Sequence, residues 1–287
     1  MILVTGHKGF IGQRLFKDLQ DKFGEENIIG YDLVDGDDLR DYFRLDKLFR
    51  ENPINTIIHL AARAGVRTSE KFPDEYITTN IIGTNNILRC AKEYEIDKVI
   101  IFSSSSVYGS QTPPNAETEE LSPESLYAVT KVSTEYLAKA SPIKTIIVRP
   151  FTCYGENGRN DQVIDKWLWQ INSGRPITFF GEGNTKRGYT YVGDLVDGVI
   201  KLIDYNQKDN HEVFNLGGQT ITTLSELLDI FKKTIPFEFK VNKIDLPNGD
   251  VKENWADISK AKEKLGFNPD TNFKEKVKEL IVNNLKK

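Results

Sequence analysis

The sequence predicts an α/β fold in which a doubly wound parallel sheet carries a smaller α/β lobe, on three observations. Six short apolar runs recur along 287 residues, helical stretches separate most of them, and the regularity stops after Pro150. Strands alternating with helices imply parallel pairing through right-handed crossovers. Unbroken apolar runs suit strands buried on both faces. With 39% hydrophobic and 28% charged residues, the composition is that of a soluble globular protein with a substantial core.

The strand-like runs are "MILVTG", "NIIGYD", "NTIIHLAA", "KVIIFSS", "KTIIVRP" and, late in the chain, "VFNLGG". The stretches "IGQRLFKDLQDKF", "LDKLFREN" and "TTNIIGTNNILRCAKEYE" between them have helical periodicity. Beyond Pro150 come a glycine-rich loop ("CYGENGRND"), a tryptophan-bearing helix ("VIDKWLWQINSG") and a turn-rich piece ("FFGEGNTKRGYTYV"), and the chain closes on the helical "DISKAKEKLGF" and "FKEKVKELIVNNL". This organisation assigns 1–153 plus about 189–216 to the main domain, and about 154–188 plus 217–287 to the smaller lobe.

The net charge of −4, with no basic stripe, argues against a nucleic-acid partner. No apolar run reaches the roughly 18 residues that span a bilayer, so no membrane association is expected. The start "MILVTGHKGF" lacks the charged opening and long apolar core of an export signal. Cys90 and Cys153 make no disulfide framework, which together with that start suggests a reducing cytoplasm. The three histidines show no metal-ligand spacing, and no metal is expected.

The first run leads straight into Gly6-His7-Lys8-Gly9-Phe10-Ile11-Gly12 and then an amphipathic helix. Glycines there let the backbone turn tightly and approach a pyrophosphate seated on the helix N-terminus. Asp32 ends the next strand, twenty residues after Gly12, where a carboxylate suits both ribose hydroxyls of NAD and repels the 2′-phosphate of NADP. Lys8, inside the loop, softens that preference. The main domain is therefore a Rossmann-like dinucleotide-binding unit with NAD as cofactor.

Further on, "SLYAVTK" sets Tyr127 and Lys131 one helical turn apart on one face. A free phenol has a pKa of about 10. A neighbouring ammonium and an oxidised nicotinamide favour the phenolate and lower that value, so Tyr127 can take a proton from a sugar hydroxyl.

The GxxGxxG spacing, the Tyr–Lys pair and the segments "HLAARAGVRTS", "NIIGTNN", "SSSSVYG", "RPFTCYG", "KRGYTYVGDL", "VFNLGG" and "GDVKENWADISKAKEKLGF" run through nearly the whole chain. Together they resemble the extended short-chain dehydrogenase/reductase superfamily, in its NAD-dependent nucleotide-sugar epimerase/dehydratase family. The resemblance implies a third catalytic residue four positions before the tyrosine of "VYG", which is Ser104. It also implies cofactor contacts at Gly6, Gly9, Phe10, Ile11, Gly12, Asp32, Asp38, Leu39, Leu60, Ala61, Ala62, Asn80, Tyr127 and Lys131. Dehydratases and decarboxylases of the family carry acids at one or both of the two positions after that serine. Ser105 and Ser106 stand there instead, which points to epimerisation through a transient 4-keto sugar. Ser103 is expected to be structural.

"AAxAGVR" (Ala61 to Arg67), "SLYAxTK" and "FTxYG" are similar to the UDP-glucuronate 4-epimerase branch, so the resemblance implies conversion of UDP-glucuronate to UDP-galacturonate. On the substrate side it implies Arg67, Ser104, Ser105, Ser106, Thr152, Arg159, Arg187 and Asp250. Arg159 is the candidate for the sugar carboxylate, since a guanidinium fork matches it bidentately, and Arg187 for the diphosphate. Asn160 replaces the proline usual in that loop, and Pro247 stands near the place of a phosphate-binding arginine of galactose epimerases. The short Asp32–Asp38 segment implies that a crossover helix and an outer strand are missing.

Alternatives are a UDP-glucose/UDP-galactose or N-acetylhexosamine 4-epimerase, and an NAD(P)H-dependent keto-sugar-nucleotide reductase, whose glycine loop "GHKGFIG" echoes. A non-catalytic NAD-sensing or scaffold protein is a third. The helices "NIIGTNNILRCAKEYE" and "YAVTKVSTEYLAKA" resemble the pair with which the family builds a homodimer.

Overall fold

Alternate residues of each apolar run face opposite sides of the sheet, and the core divides accordingly. The computed structural model describes residues 1–246 and 251–285. In β1 (Ile2–Thr5), Ile2 and Val4 pack into one apolar cluster and Leu3 into another. On the first side lie α1 (Phe10–Phe23) and, later, α8 (Val192–Asp204), burying Leu15, Leu19, Val196 and Val199. The second side is covered by α2 (Tyr42–Glu51), α5 (Thr84–Glu93) and α6 (Leu126–Ala140), through Leu45, Phe49, Ile87 and Ala138.

The sheet adds β2 (Ile28–Tyr31), β3 (Thr56–His59), β4 (Lys98–Phe102), β5 (Thr145–Pro150) and β9 (His211–Leu216), in the order β2-β1-β3-β4-β5-β9. Every pairing in it is parallel. This is the doubly wound α/β sheet the sequence predicts. The chain builds leftward from β1 to β2 and then crosses to β3, so the strand order reverses between β1 and β3.

After β2 a short turn at Leu33–Asp35 leads directly to α2, and β2 remains the sheet edge. The expected loss of an outer strand is therefore found. Tyr31 donates its hydroxyl to the Asp38 carbonyl (3.1 Å), and the Asn86 amide donates to the Leu39 carbonyl (2.9 Å), fixing the shortened connection.

Between β3 and α5 lie α3 (Val66–Lys71), α4 (Pro73–Tyr76) and a π-helical stretch, Ile77–Gly83. The second apolar core gathers around the buried Trp167 of α7 (Val163–Asn172) and Phe231 of α9 (Leu224–Thr234), with α11 (Phe273–Asn284). It is flanked by β8 (Lys186–Tyr191), paired with β6 (Cys153–Tyr154), β10 (Thr220–Thr223) and β12 (Glu253–Asn254), and by β7 (Ile177–Phe180) with β11 (Val241–Ile244). After β12, Ile258, Ala261 of α10 (Ser259–Leu265) and Phe267 turn back into the core of the six-stranded sheet.

Candidate active site

Parallel strands end on one side, and in an open α/β sheet the crevice outside their carboxyl ends, where the strand order reverses, is where ligands bind. A cleft of about 530 Å³ lies here, bounded by the glycine loop, the serine run and the loop before α7.

At its floor, Gly6 has a φ of +73°, and a Cβ there would come within 2.7 Å of the Ala61 nitrogen at the end of β3. A Cβ on Gly12 would stand 2.0 Å from the Gly6 carbonyl oxygen. Loop and helix can close this tightly only without those side chains. Gly9 caps α1 without any side-chain hydrogen bond, which leaves first-turn N–H groups directed at the cleft. Asp32 accepts from the Lys8 backbone nitrogen (2.9 Å) and the Val34 nitrogen (3.0 Å), so the carboxylate is fixed at the end of β2. Its remaining lone pairs are suited to ribose hydroxyls. The Lys8 ammonium pairs with Asp35. This cradle fits a dinucleotide.

Phe10, Ile11, Leu60 and Ala62 line the cleft. The Ala61 nitrogen donates to the Thr5 hydroxyl (3.2 Å), which also meets His59 (2.7 Å), and His59 meets Thr84 (2.9 Å). Burial, with the Lys131 charge nearby, lowers His59 to about 3, and it ties these elements together as a neutral ring. Asn80 is buried in the π-helical stretch. It accepts from the Arg63 nitrogen (2.7 Å) and donates to the Arg63 carbonyl (3.0 Å) and the Thr130 hydroxyl (2.9 Å), clamping the loop after β3 onto α6. Asp38 holds Arg40 through both carboxylate oxygens.

The serine run ends β4. Ser103 is buried and donates to Glu135 (2.6 Å), the structural place expected of it. Glu135 takes the Arg149 fork (2.8 and 2.7 Å), and Arg149 in turn donates to the Tyr108 hydroxyl (2.8 Å). Ser104 caps the turn Ser105–Tyr108, accepting from the Ser106 nitrogen (3.2 Å) and hydroxyl (2.9 Å). Its hydroxyl acts on the Tyr127 phenol, favouring the phenolate. The structure thus brings Ser104, Tyr127 and Lys131 to one cleft, with Ser105 and Ser106 beside them.

The electrostatics of the pair differ from the simple sequence expectation. Burial raises the Tyr127 phenol above its ordinary value; the Ser104 hydrogen bond and the Arg159 charge oppose it, and Asp161 adds to it. Lys131 donates to the Phe102 carbonyl (2.8 Å). Burial lowers its ammonium to about 8, against the pull of Glu135. In the free chain desolvation therefore outweighs the cationic help that lowers Tyr127.

At the other end Thr152, Arg67, Arg159 and Arg187 line the cleft. The Arg67 guanidinium sits 4.5 Å from the Phe180 ring centre, and Arg187 donates to the carbonyls of Val251 (2.7 Å) and Lys252 (3.1 Å). Arg159 is bound by Asp161, which the sequence reading passed over although both stand in "GENGRND". Glu135 was missed too, since nothing in its helical context marks a buried charge. Asp250 lies outside the described residues.

Residues 2–217 match the NAD dependent epimerase/dehydratase family. The UDP-glucuronate 4-epimerase of Thermodesulfobacterium geofontis is 33% identical, across 97% of this chain and 94% of the relative. Among solved structures, the UDP-glucuronic acid 4-epimerase of Bacillus cereus, in complex with UDP-glucuronic acid and NAD, superposes with a TM-score of 0.87 at 30% identity, covering 98% of this chain and 99% of that one. The UDP-glucose 4-epimerase of Thermotoga maritima, with UDP-glucose, gives a TM-score of 0.89 at 28% identity, covering 98% and 97%. On this match and on a glycine cradle, a buried tyrosine–lysine pair and a serine beside them, the chain belongs to the NAD dependent epimerase/dehydratase family.

Proposed function

We propose that this protein is an NAD-dependent UDP-sugar 4-epimerase whose substrate is UDP-glucuronate, giving UDP-galacturonate. The observation that carries this reading is the meeting of Ser104, Tyr127 and Lys131 in a cleft with Arg159, where Ser105 and Ser106 offer hydroxyls and no carboxylate. Without an acid at those positions the site is poorly equipped to expel water from the sugar.

Tyr127 removes the C4 hydroxyl proton and later returns it to the same oxygen. Ser104, which lines the cleft beside Tyr127 and favours its phenolate, orients the hydroxyl and shares that proton path. Lys131 carries its charge below a pH of about 8 and holds it one turn from the phenol. Gly6, Gly9, Gly12 and Asp32 would hold NAD, with Phe10, Ile11, Leu60, Ala61 and Ala62 lining its site, Asp38 and Leu39 toward the adenine, and Asn80 supporting the loop after β3. When bound, NAD would supply reversible hydride chemistry at C4 of the sugar and a positive charge that favours the Tyr127 phenolate. Arg67 and Thr152 face the sugar, Arg187 the diphosphate, and Arg159 the carboxylate through its planar fork.

We assign the six-stranded sheet and its helices to the dinucleotide and the smaller lobe to the nucleotide sugar. The protein works as a homodimer through α6 and the π-helical stretch that runs on into α5, which expose Val129, Tyr136 and Ile82. Its free, buried cysteines agree with a cytoplasmic location.

The test is incubation of NAD-loaded protein with UDP-glucuronate while the anomeric proton signals are followed by NMR. Signals of UDP-galacturonate are expected. Their absence, with conversion of UDP-glucose instead, would replace the substrate but keep the reaction. Net oxidation of added NADPH would point to a reductase.

A further inference from the structure

The loop between β6 and α7 sets two opposite charges side by side at the sugar end of the cleft. Arg159 donates from Nε to Asp161 Oδ1 and from Nη2 to Oδ2, both at 2.9 Å, a bidentate fork. Both residues line the cleft. Both act on the Tyr127 phenol with opposite signs, so the pair lies within electrostatic reach of the base. Asp161 Oδ2 leans over Gly65, where a Cβ would lie 3.1 Å away. The two side chains keep 39% and 46% of their exposure, so an incoming ligand can reach them.

A guanidinium whose Nε–Nη2 edge is filled can take a second carboxylate only on its other edge. Two like charges then share one cation, which disfavours both. We propose that Asp161 is a specificity-determining residue, a resident carboxylate that holds Arg159 between turnovers and with which the carboxylate of a uronic acid must compete. Asp161 thereby sets how strongly the site distinguishes a uronate from a neutral hexose. A neutral sugar leaves the pair intact and presents its C6 hydroxyl to it. The inference rests on the UDP-sugar reading of the site and names the residue that tunes its substrate class.

The test is Asp161→Asn, which keeps the shape and removes the charge. Affinities for UDP-glucuronate and UDP-glucose are measured by calorimetry on NAD-loaded protein that also carries Tyr127→Phe, so that no turnover occurs. The expected result is about tenfold tighter UDP-glucuronate, about 1.4 kcal/mol, with UDP-glucose within about twofold of its value before the change. With Tyr127 restored, KM for UDP-glucuronate falls by a similar factor. Adding Arg159→Gln erases the gain. Unchanged or weaker uronate binding, an equal shift for both ligands, or a gain that survives Arg159→Gln would each overturn the proposal. Failure of the wild type to epimerise UDP-glucuronate would overturn the substrate reading instead, because the ratio of affinities is read without turnover.

Discussion

Glu135 offers the sharpest test of how the fold supports the chemistry. Its carboxylate is fully buried and takes the Ser103 hydroxyl and both arms of Arg149, which is itself buried. Removing one partner of a buried pair typically costs about 3–5 kcal/mol, because the other charge is left uncompensated. Glu135→Gln keeps one oxygen to accept from Ser103 or Arg149, so the lower end applies, about 3 kcal/mol. At about 2–4 °C per kcal/mol for a chain near this size, the melting temperature should fall by roughly 6–12 °C. A second effect reaches the active site. Glu135 holds the Lys131 ammonium up, against burial that lowers it to about 8. Losing the negative charge lowers Lys131 further, so the ammonium is lost at lower pH and the alkaline limb of the rate profile moves down. Scanning calorimetry and the pH dependence of UDP-sugar epimerisation read the two effects separately. A variant that melts within about 2 °C of wild type and keeps its alkaline limb would refute both the buried-pair argument and the coupling to Lys131.

Tyr127→Phe removes the proton acceptor and should cut turnover by about 10²–10⁴-fold while NAD, measured by its release on denaturation, stays bound. Ser104→Ala should lower kcat with little change in melting, whereas Ser103→Ala, which strips Glu135 of a buried donor, should lower the melting temperature and leave kcat nearer normal; the reverse pattern would exchange their roles. Asp165 is raised to about 6, chiefly by burial and further by Asp161, and its Oδ2 finds no partner among the described residues. The folded protein therefore holds a proton there that the unfolded chain releases near pH 4, and the site loses stability as pH rises from about 4 through 6. Asp165→Asn should raise the melting temperature at pH 8 and change it little at pH 4, as thermal scans at the two pH values will show.

The parallel sheet was legible because burial on both faces forces unbroken apolar runs, and such runs survive in sequence as plain text. The glycine loop and the Tyr127–Lys131 pair were legible because their chemistry fixes spacing. The π-helical stretch Ile77–Gly83 was not, since one added residue in a turn leaves the apolar pattern of a helix nearly unchanged over seven residues. Nor were β6 and β12, two residues each, whose pairing with β8 comes from the tertiary fold and no local periodicity. The rise of the Tyr127 phenol was hidden for a different reason: spacing locates a lysine one turn away, but only burial decides whether its charge wins.

The shortened Asp32–Asp38 connection shows why so much could be trimmed without touching the chemistry. Strands that run parallel all deliver their carboxyl ends to one edge, so Gly6, Leu60, Ser104 and Thr152, far apart in sequence, follow β1, β3, β4 and β5 into a common cleft. A strand beyond β2 would lie at the far edge, separated by β2, β1 and β3 from the strand that leads into the serine run. On the proposed reading that strand would flank the adenosine end, and there the chain is tied locally. The Tyr31 hydroxyl and the Asn86 amide catch the carbonyls of Asp38 and Leu39 and bring the connection straight back to α2. Asp32 gains its own anchors from the glycine loop and from Val34. The lost structure is therefore expected to bear on how tightly the cofactor's adenosine end is held, and the machinery at Ser104, Tyr127 and Lys131, set on β4 and α6, stands outside its reach.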